Sequence, residues 1–205
     1  RRQRQMCIRD RGNVRRNSLM DFVNVQSNGK IAMKLDEGDK LINVRICHED
    51  NDIMLAARSG KCIRFPVTDV RVFVGRNSTG VRGIKLAEGD EVISMSILLH
   101  SDATSEERDE YARIASAIKR ISAERGDDSC VSPEDTGLLN VLTTEKYKEM
   151  AEREQFILSV TSTGYGKRTS SYEYRVTGRG GQGIANMEMS ARNKEIVSSF
   201  PIEDD

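Results

Sequence analysis

Three stretches of this 205-residue chain can be laid over one another, and that self-similarity limits the fold more than any single motif does. They are GNVRRNSLMDF from Gly12, GKCIRFPVTDV from Gly60 and GYGKRTSSYEY from Gly164. Each carries an arginine four residues after its glycine (Arg16, Arg64, Arg168) and an acid nine after it (Asp21, Asp69, Glu173). The third position is basic twice, as Arg15 and Lys167, and is Ile63 in the middle copy. A second shared piece follows each one: SNGKIAMKLDEGDKLINVRI, STGVRGIKLAEGDEVISMSI and GQGIANMEMSARNKEIVSSFPI. Every copy of it reads as a glycine, a short strand, a tight turn and a longer strand.

The first two glycines lie 48 residues apart and the last two 104; setting aside an insert of 55 leaves 49, the same period. A unit of about 40–50 residues holding four short strands is how a propeller blade looks in sequence. The runs DIMLAARS and QFILSVTST ahead of the second and third glycines supply further strands. Ile31, Met33 and Leu35 alternate with Lys30, Ala32 and Lys34, which predicts a strand there, and DEGDK and AEGDE read as hairpin loops. Gly83 breaks the same alternation in the second copy, a sign of a bulge or of close backbone approach. The fold class expected is therefore all-β, with propeller-like blades over residues 12–100 and 156–205 and an inserted segment over 101–155.

Residues 1–11 are set apart. The chain opens on RRQRQMCIRDR, does not begin with Met and reads as a fragment, and its MCIRDR run resembles translated sequencing-adapter read-through. The insert is a different material from the blades. Between Ser101 and Gln155 stand 14 acids and 8 bases, whereas the remainder holds 18 acids and 24 bases, so an overall charge of zero conceals an acidic insert in a basic body. Thr104 and Glu107 form a capping box; Tyr111, Ile114, Ala115, Ile118 and Ile121 follow at helical spacing; a second helix is predicted from near Thr144 through EKYKEMAERE. An acidic helical hairpin results.

Several chemistries are excluded. No apolar run approaches the roughly 20 residues of a membrane-spanning helix. Cys7, Cys47, Cys62 and Cys130 are scattered without metal-ligand spacing, and His48 and His100 add none, so reduced thiols in a cytoplasm and no metal are expected. GRNSTGVRG from Gly75 lacks the Lys-Ser/Thr of a phosphate-binding loop, and GRGGQG from Gly178 leads into a strand where a dinucleotide fingerprint needs a helix. No nucleophile, base and orienting acid can be assembled, so the chain reads as non-catalytic by itself and without a cofactor.

The cations remain. Arg15, Arg16, Arg64, Arg76, Arg82, Lys85, Lys167, Arg168, Arg175 and Arg179 all fall in the repeated elements. Charged strand edges also guard sheets against aggregation. Recurrence at one position of every unit predicts more: stacked blades would line these cations along a rim suited to a phosphate backbone held without base readout. Aromatic residues are only 5% of the chain, so base-stacking platforms are not expected and duplex DNA is the better ligand.

GYGKRT, GRNSTGVRGIKL with its EGD, and GKIAMKLDEGD resemble the C-terminal domain family of the DNA gyrase A protein, over about Gly12 to Ile202 apart from the insert. The resemblance implies a β-pinwheel whose rim bends duplex DNA, so that an ATP-dependent type II topoisomerase introduces negative supercoils. It also implies, as partners in an A2B2 heterotetramer, the rest of the gyrase A protein and the gyrase B protein, with the catalytic tyrosine elsewhere in the former. GRGGQG resembles the family's basic box with glutamine in place of its cation, which leaves Arg179 as its contribution. The C-terminal domain of topoisomerase IV and a propeller-type protein scaffold are the alternatives.

Overall fold

The structure is a computed structural model and describes residues 3–74, 78–125 and 131–202. It divides into two units. The first comprises 1–100, 155–169 and 176–205, and the second 101–154 and 170–175.

The first unit is built from three antiparallel sheets. The first repeat supplies β1 (Arg4–Arg9), β2 (Asn13–Ser18) and β3 (Leu41–Cys47). The second supplies β4 (Asn51–Ala57), β5 (Lys61–Pro66), a short β6 (Val81–Arg82) and β7 (Val92–Leu99). The third supplies β8 (Phe156–Thr161), β9 (Gly166–Ser170), a short β10 (Ile184–Ala185) and β11 (Ile196–Ile202). Strand order in the sheets is β3-β1-β2-β6, β10-β5-β4-β7 and β11-β8-β9. Each repeat thus keeps three strands for its own sheet, and the second and third lend their short strand to the sheet before. β6 pairs with β2 (Asn13 with Arg82, Val14 with Val81), and β10 pairs with β5 (Cys62 with Ile184, Lys61 with Ala185).

This exchange corrects two expectations. The AEGDE turn is not a hairpin loop, because it carries the chain from β6 in one sheet to β7 in the next. Residues 30–35, which alternate like a strand, form none. Met33 is buried there while Ile31 and Leu35 are exposed.

The close crossing explains the glycines. Gly80 has φ +86°, and a Cβ on it would stand 2.3 Å from the Val14 carbonyl oxygen; Gly183 makes the same approach to Cys62. At Gly83 a Cβ would meet Leu55 at 2.8 Å and Val14 at 2.9 Å, so this glycine marks close packing rather than a bulge. Behind the crossing lies one apolar core that includes Val14, Ile53, Leu55, Phe65, Val70, Phe73 and Ile84. Each such side chain contributes about 1.5–3 kcal/mol when fully buried. Residues 4–9, set apart in sequence, enter this core as β1 through Met6 and Ile8.

A 3-10 turn follows the second strand of every repeat: Leu19–Phe22, Val67–Asp69 and Ser171–Glu173. Each begins seven residues after the repeat glycine and contains the shared acid. The Asp of the EGD turn also has a local task, since Asp90 accepts from the Ser59 N–H at 3.1 Å and the Ser59 hydroxyl at 2.6 Å. Cys7, Cys47 and Cys62 are free and buried, and burial pushes their thiols up to about 11, 11 and 12, so they stay protonated. Cys130 lies outside the described residues.

The second unit holds α1 (Ser105–Arg125) and α2 (Thr144–Arg153). The expected capping box is present: Thr104 N–H donates to Glu107 Oε2 at 2.7 Å, and Glu107 N–H to Thr104 Oγ1 at 3.2 Å. Thr143 caps α2 by accepting from Lys146 N–H at 3.2 Å. Tyr111, Ile114, Leu142, Tyr147, Met150 and Tyr172 form its core, with the Tyr111 ring stacked on Tyr147 and edge-on to Tyr172. Tyr172 belongs to the third repeat by sequence, and its hydroxyl donates to the Met150 carbonyl at 2.8 Å. The helical unit therefore takes in residues 170–175 as well as the insert. No helix among the described residues is long and apolar enough to cross a membrane.

Candidate nucleic-acid interface

The recurrent arginine of the repeat is not a surface feature in the first two copies. Arg16 is 6% exposed and Arg64 3%. The reason is the crossing chain. Val72 bridges Arg16, whose carbonyl accepts from Phe73 N–H at 2.9 Å; Val176 bridges Arg64, whose carbonyl accepts from Thr177 N–H at 2.8 Å. Arg64 donates Nε to Asp52 Oδ2 at 2.8 Å and Nη2 to the Leu99 carbonyl at 2.8 Å, and Asp52 also meets His100 Nδ1 at 2.7 Å. Arg15 is fully buried, with Nε on Asn17 Oδ1 at 3.0 Å and Nη1 on the Ser78 carbonyl at 2.6 Å. Burial pulls the guanidiniums of Arg15 and Arg16 below their ordinary value. The expectation that Arg15, Arg16 and Arg64 face a ligand is thus corrected: their side chains are held inside the first unit.

The other candidates are placed differently. Arg82, Lys85 and Arg179 are exposed and meet where the third repeat crosses the second. Arg179 donates Nη1 to the Arg82 carbonyl at 3.0 Å and Nε to the Asp69 carbonyl at 2.9 Å. Lys85 N–H donates to the Gly181 carbonyl at 2.8 Å, and Gly180 N–H to the Gly83 carbonyl at 2.6 Å. GRGGQG is therefore a main-chain clip that leaves three cations at one junction. Lys167 and Arg168 are exposed on β9, and Arg168 lies 3.8 Å over the Phe156 ring. Arg175 is exposed in the second unit. Arg76 lies outside the described residues.

Sequence reasoning passed over Arg71. It is exposed and lies 4.5 Å over the Phe73 ring. The repeat register was the available signal, for Arg71 and Arg175 both stand eleven residues after their repeat glycine. Lys34, exposed and aligned with Lys85, was likewise missed. Among the described residues no group of three or more His, Cys, Asp or Glu is placed to hold a metal ion.

Comparison with known proteins agrees with this architecture. A family model described as DNA gyrase C-terminal domain, beta-propeller, matches residues 10–48, 51–98 and 155–202, one segment per repeat. The DNA gyrase A protein of Granulibacter bethesdensis is 52% identical over 93% of this chain and 21% of its own length. The protein of the same name in Rickettsia bellii is 49% identical over 95% of this chain and 21% of its own. The chain therefore spans about a fifth of these relatives. Among solved structures, a DNA topoisomerase IV C-terminal domain superposes with a TM-score of 0.68 at 16% identity, covering all of this chain and 47% of that one. A DNA gyrase A C-terminal domain superposes at 0.65 and 18%, covering all of this chain and half of the other. Those two likenesses speak to fold, whereas the sequence relatives carry the gyrase name. With one family segment matching each of three strand-exchanging sheets, the chain belongs to the DNA gyrase C-terminal domain, beta-propeller, family.

Proposed function

We propose that this chain is the part of the gyrase A protein that binds duplex DNA and bends it along a basic edge, without reading base sequence. The carrying observation is the junction of Arg82, Lys85 and Arg179, three exposed cations set on a clip of main-chain hydrogen bonds. A rigid backbone under long cationic side chains suits phosphate contacts, which add affinity with little regard to sequence. Bending a site of 20–30 base pairs costs about 1–6 kcal/mol, so contacts must come from more than one repeat. In the whole protein the wrapped duplex would be delivered to the strand-passing core of an A2B2 assembly of the gyrase A and B proteins. That assembly would use ATP to introduce negative supercoils in the bacterial cytoplasm. This segment would contribute DNA geometry and no cofactor of its own.

The test is affinity for a duplex of about 100 base pairs, titrated against salt. We expect a slope of log K against log[salt] equal to several released counterions, about −0.9 for each phosphate neutralised, and alike for unrelated sequences. Absence of binding at low salt would overturn the reading and favour a protein-binding scaffold.

A further inference from the structure

We propose that Arg71 is a phosphate-contacting residue and that Phe73 fixes its guanidinium; this rests on the duplex-DNA reading above. Arg71 is exposed, and among the described residues no hydrogen bond or ion pair engages it. Its guanidinium lies over the Phe73 ring, 4.5 Å from the centroid. A guanidinium lying over an aromatic ring keeps its planar fork of N–H donors free for a bidentate anion. Phosphate oxygens match that fork.

The ring itself is fixed. Phe73 is 6% exposed and sits in the apolar core, its N–H bound to the Arg16 carbonyl. Arg15 lies 5.0 Å from the same ring centroid and is anchored to Asn17 and the Ser78 carbonyl. Asn17 Nδ2 also reaches the Phe73 carbonyl at 3.5 Å. Arg15 is fully buried and does not reach a ligand itself. A side chain ordered before binding loses less freedom when it binds. The third repeat keeps the cation, as Arg175, but has Thr177 where Phe73 stands, so the aromatic platform belongs to the second repeat.

The experiment is the same salt titration on the full chain carrying R71Q, R71K or F73L, with thermal unfolding confirming that each variant is folded. R71Q is expected to lower the magnitude of the slope by about 0.9 and to weaken binding about three- to fivefold near 50 mM salt. R71K and F73L keep the charge, so the slope should hold while affinity falls about twofold. Wild-type slope and affinity in R71Q would overturn the contact. Wild-type affinity in both R71K and F73L would overturn the platform. A wild-type chain without salt-dependent binding would instead defeat the DNA reading itself.

Discussion

Arg64 and Arg16 occupy the same place in successive repeats and are both buried, yet the protein houses them in opposite ways. Twelve residues before Arg64 stands Asp52, fully buried and ion-paired to it. Twelve before Arg16 stands Arg4, a like charge, and among the described residues the buried Nε and Nη1 of Arg16 have no hydrogen-bond partner. Burial pulls Arg16 below its ordinary value, and Arg4 adds to that shift. In the third repeat the same position is Phe156, and exposed Arg168 lies over its ring. One structural demand, an arginine on the second strand of each repeat, is met by a hydrogen-bonded acid, by a ring, and in the first repeat only by the more distant opposing influence of Cys47 and Glu49 among the described residues.

The largest test of this contrast is D52A. It would strand the Arg64 guanidinium in the interior, and removing one partner of a buried pair typically costs about 3–5 kcal/mol. Urea unfolding at pH 7 should show that loss in midpoint with the slope unchanged. The double variant D52L/R64M should lose much less, because an apolar pair leaves no charge uncompensated. A loss under about 1 kcal/mol in D52A would mean that the pair behaves as an exposed one.

R4D is the sharper experiment. It would give Arg16 the partner that Arg64 has, and a hydrogen bond to a buried charge contributes about 1.5–3 kcal/mol. Among the described residues it would forgo the Arg4 side-chain contacts to Ser18 and to exposed Glu49, the latter at 3.6 Å. Arg4 lies among residues 1–11, set apart in sequence, and outside the residues the family model matches. Stabilisation in thermal unfolding would show that this position calls for an acid; no change would show that Arg16 is accommodated as it stands.

These contrasts explain what was legible in the sequence. The repeat, its period, the helical insert and the capping box could be read because each is local or self-similar. Strand exchange could not, since Val81 pairs with Val14 and Ile184 with Cys62, more than 60 residues away in each case. Recurrence of Arg16, Arg64 and Arg168 was real but spoke first to what every blade needs for its own construction: Arg16 and Arg64 lie under a crossing chain, whereas Arg168 is exposed. Tyr172 followed the repeat in sequence yet joined the helical core, because Tyr111 and Met150 offered its ring and hydroxyl partners.

The second unit shows a fourth way to house a buried charge, without a counter-charge at hydrogen-bonding distance among the described residues. Glu110 on α1 is 1% exposed and accepts the backbone N–H groups of Asn140, Val141 and Leu142, at 2.7, 2.9 and 2.9 Å. Asn140 foremost, then Val141 and Leu142, hold its carboxyl below the usual range against the opposing effect of burial, with Arg113 adding a little. A carboxyl lowered on folding contributes stability that is complete above its unfolded value, about 4.3, and is lost as pH falls through the folded value. Wild-type unfolding, followed by the near-ultraviolet signal of the Tyr111, Tyr147 and Tyr172 cluster, should therefore weaken as pH drops below about 4.3. E110Q should start less stable at pH 7 and change less over the same range, because an amide offers one acceptor oxygen and does not titrate there. Parallel pH profiles for the two proteins would mean that another group drives the acid transition, and that the backbone nest around Glu110 would be satisfied equally well by a neutral acceptor.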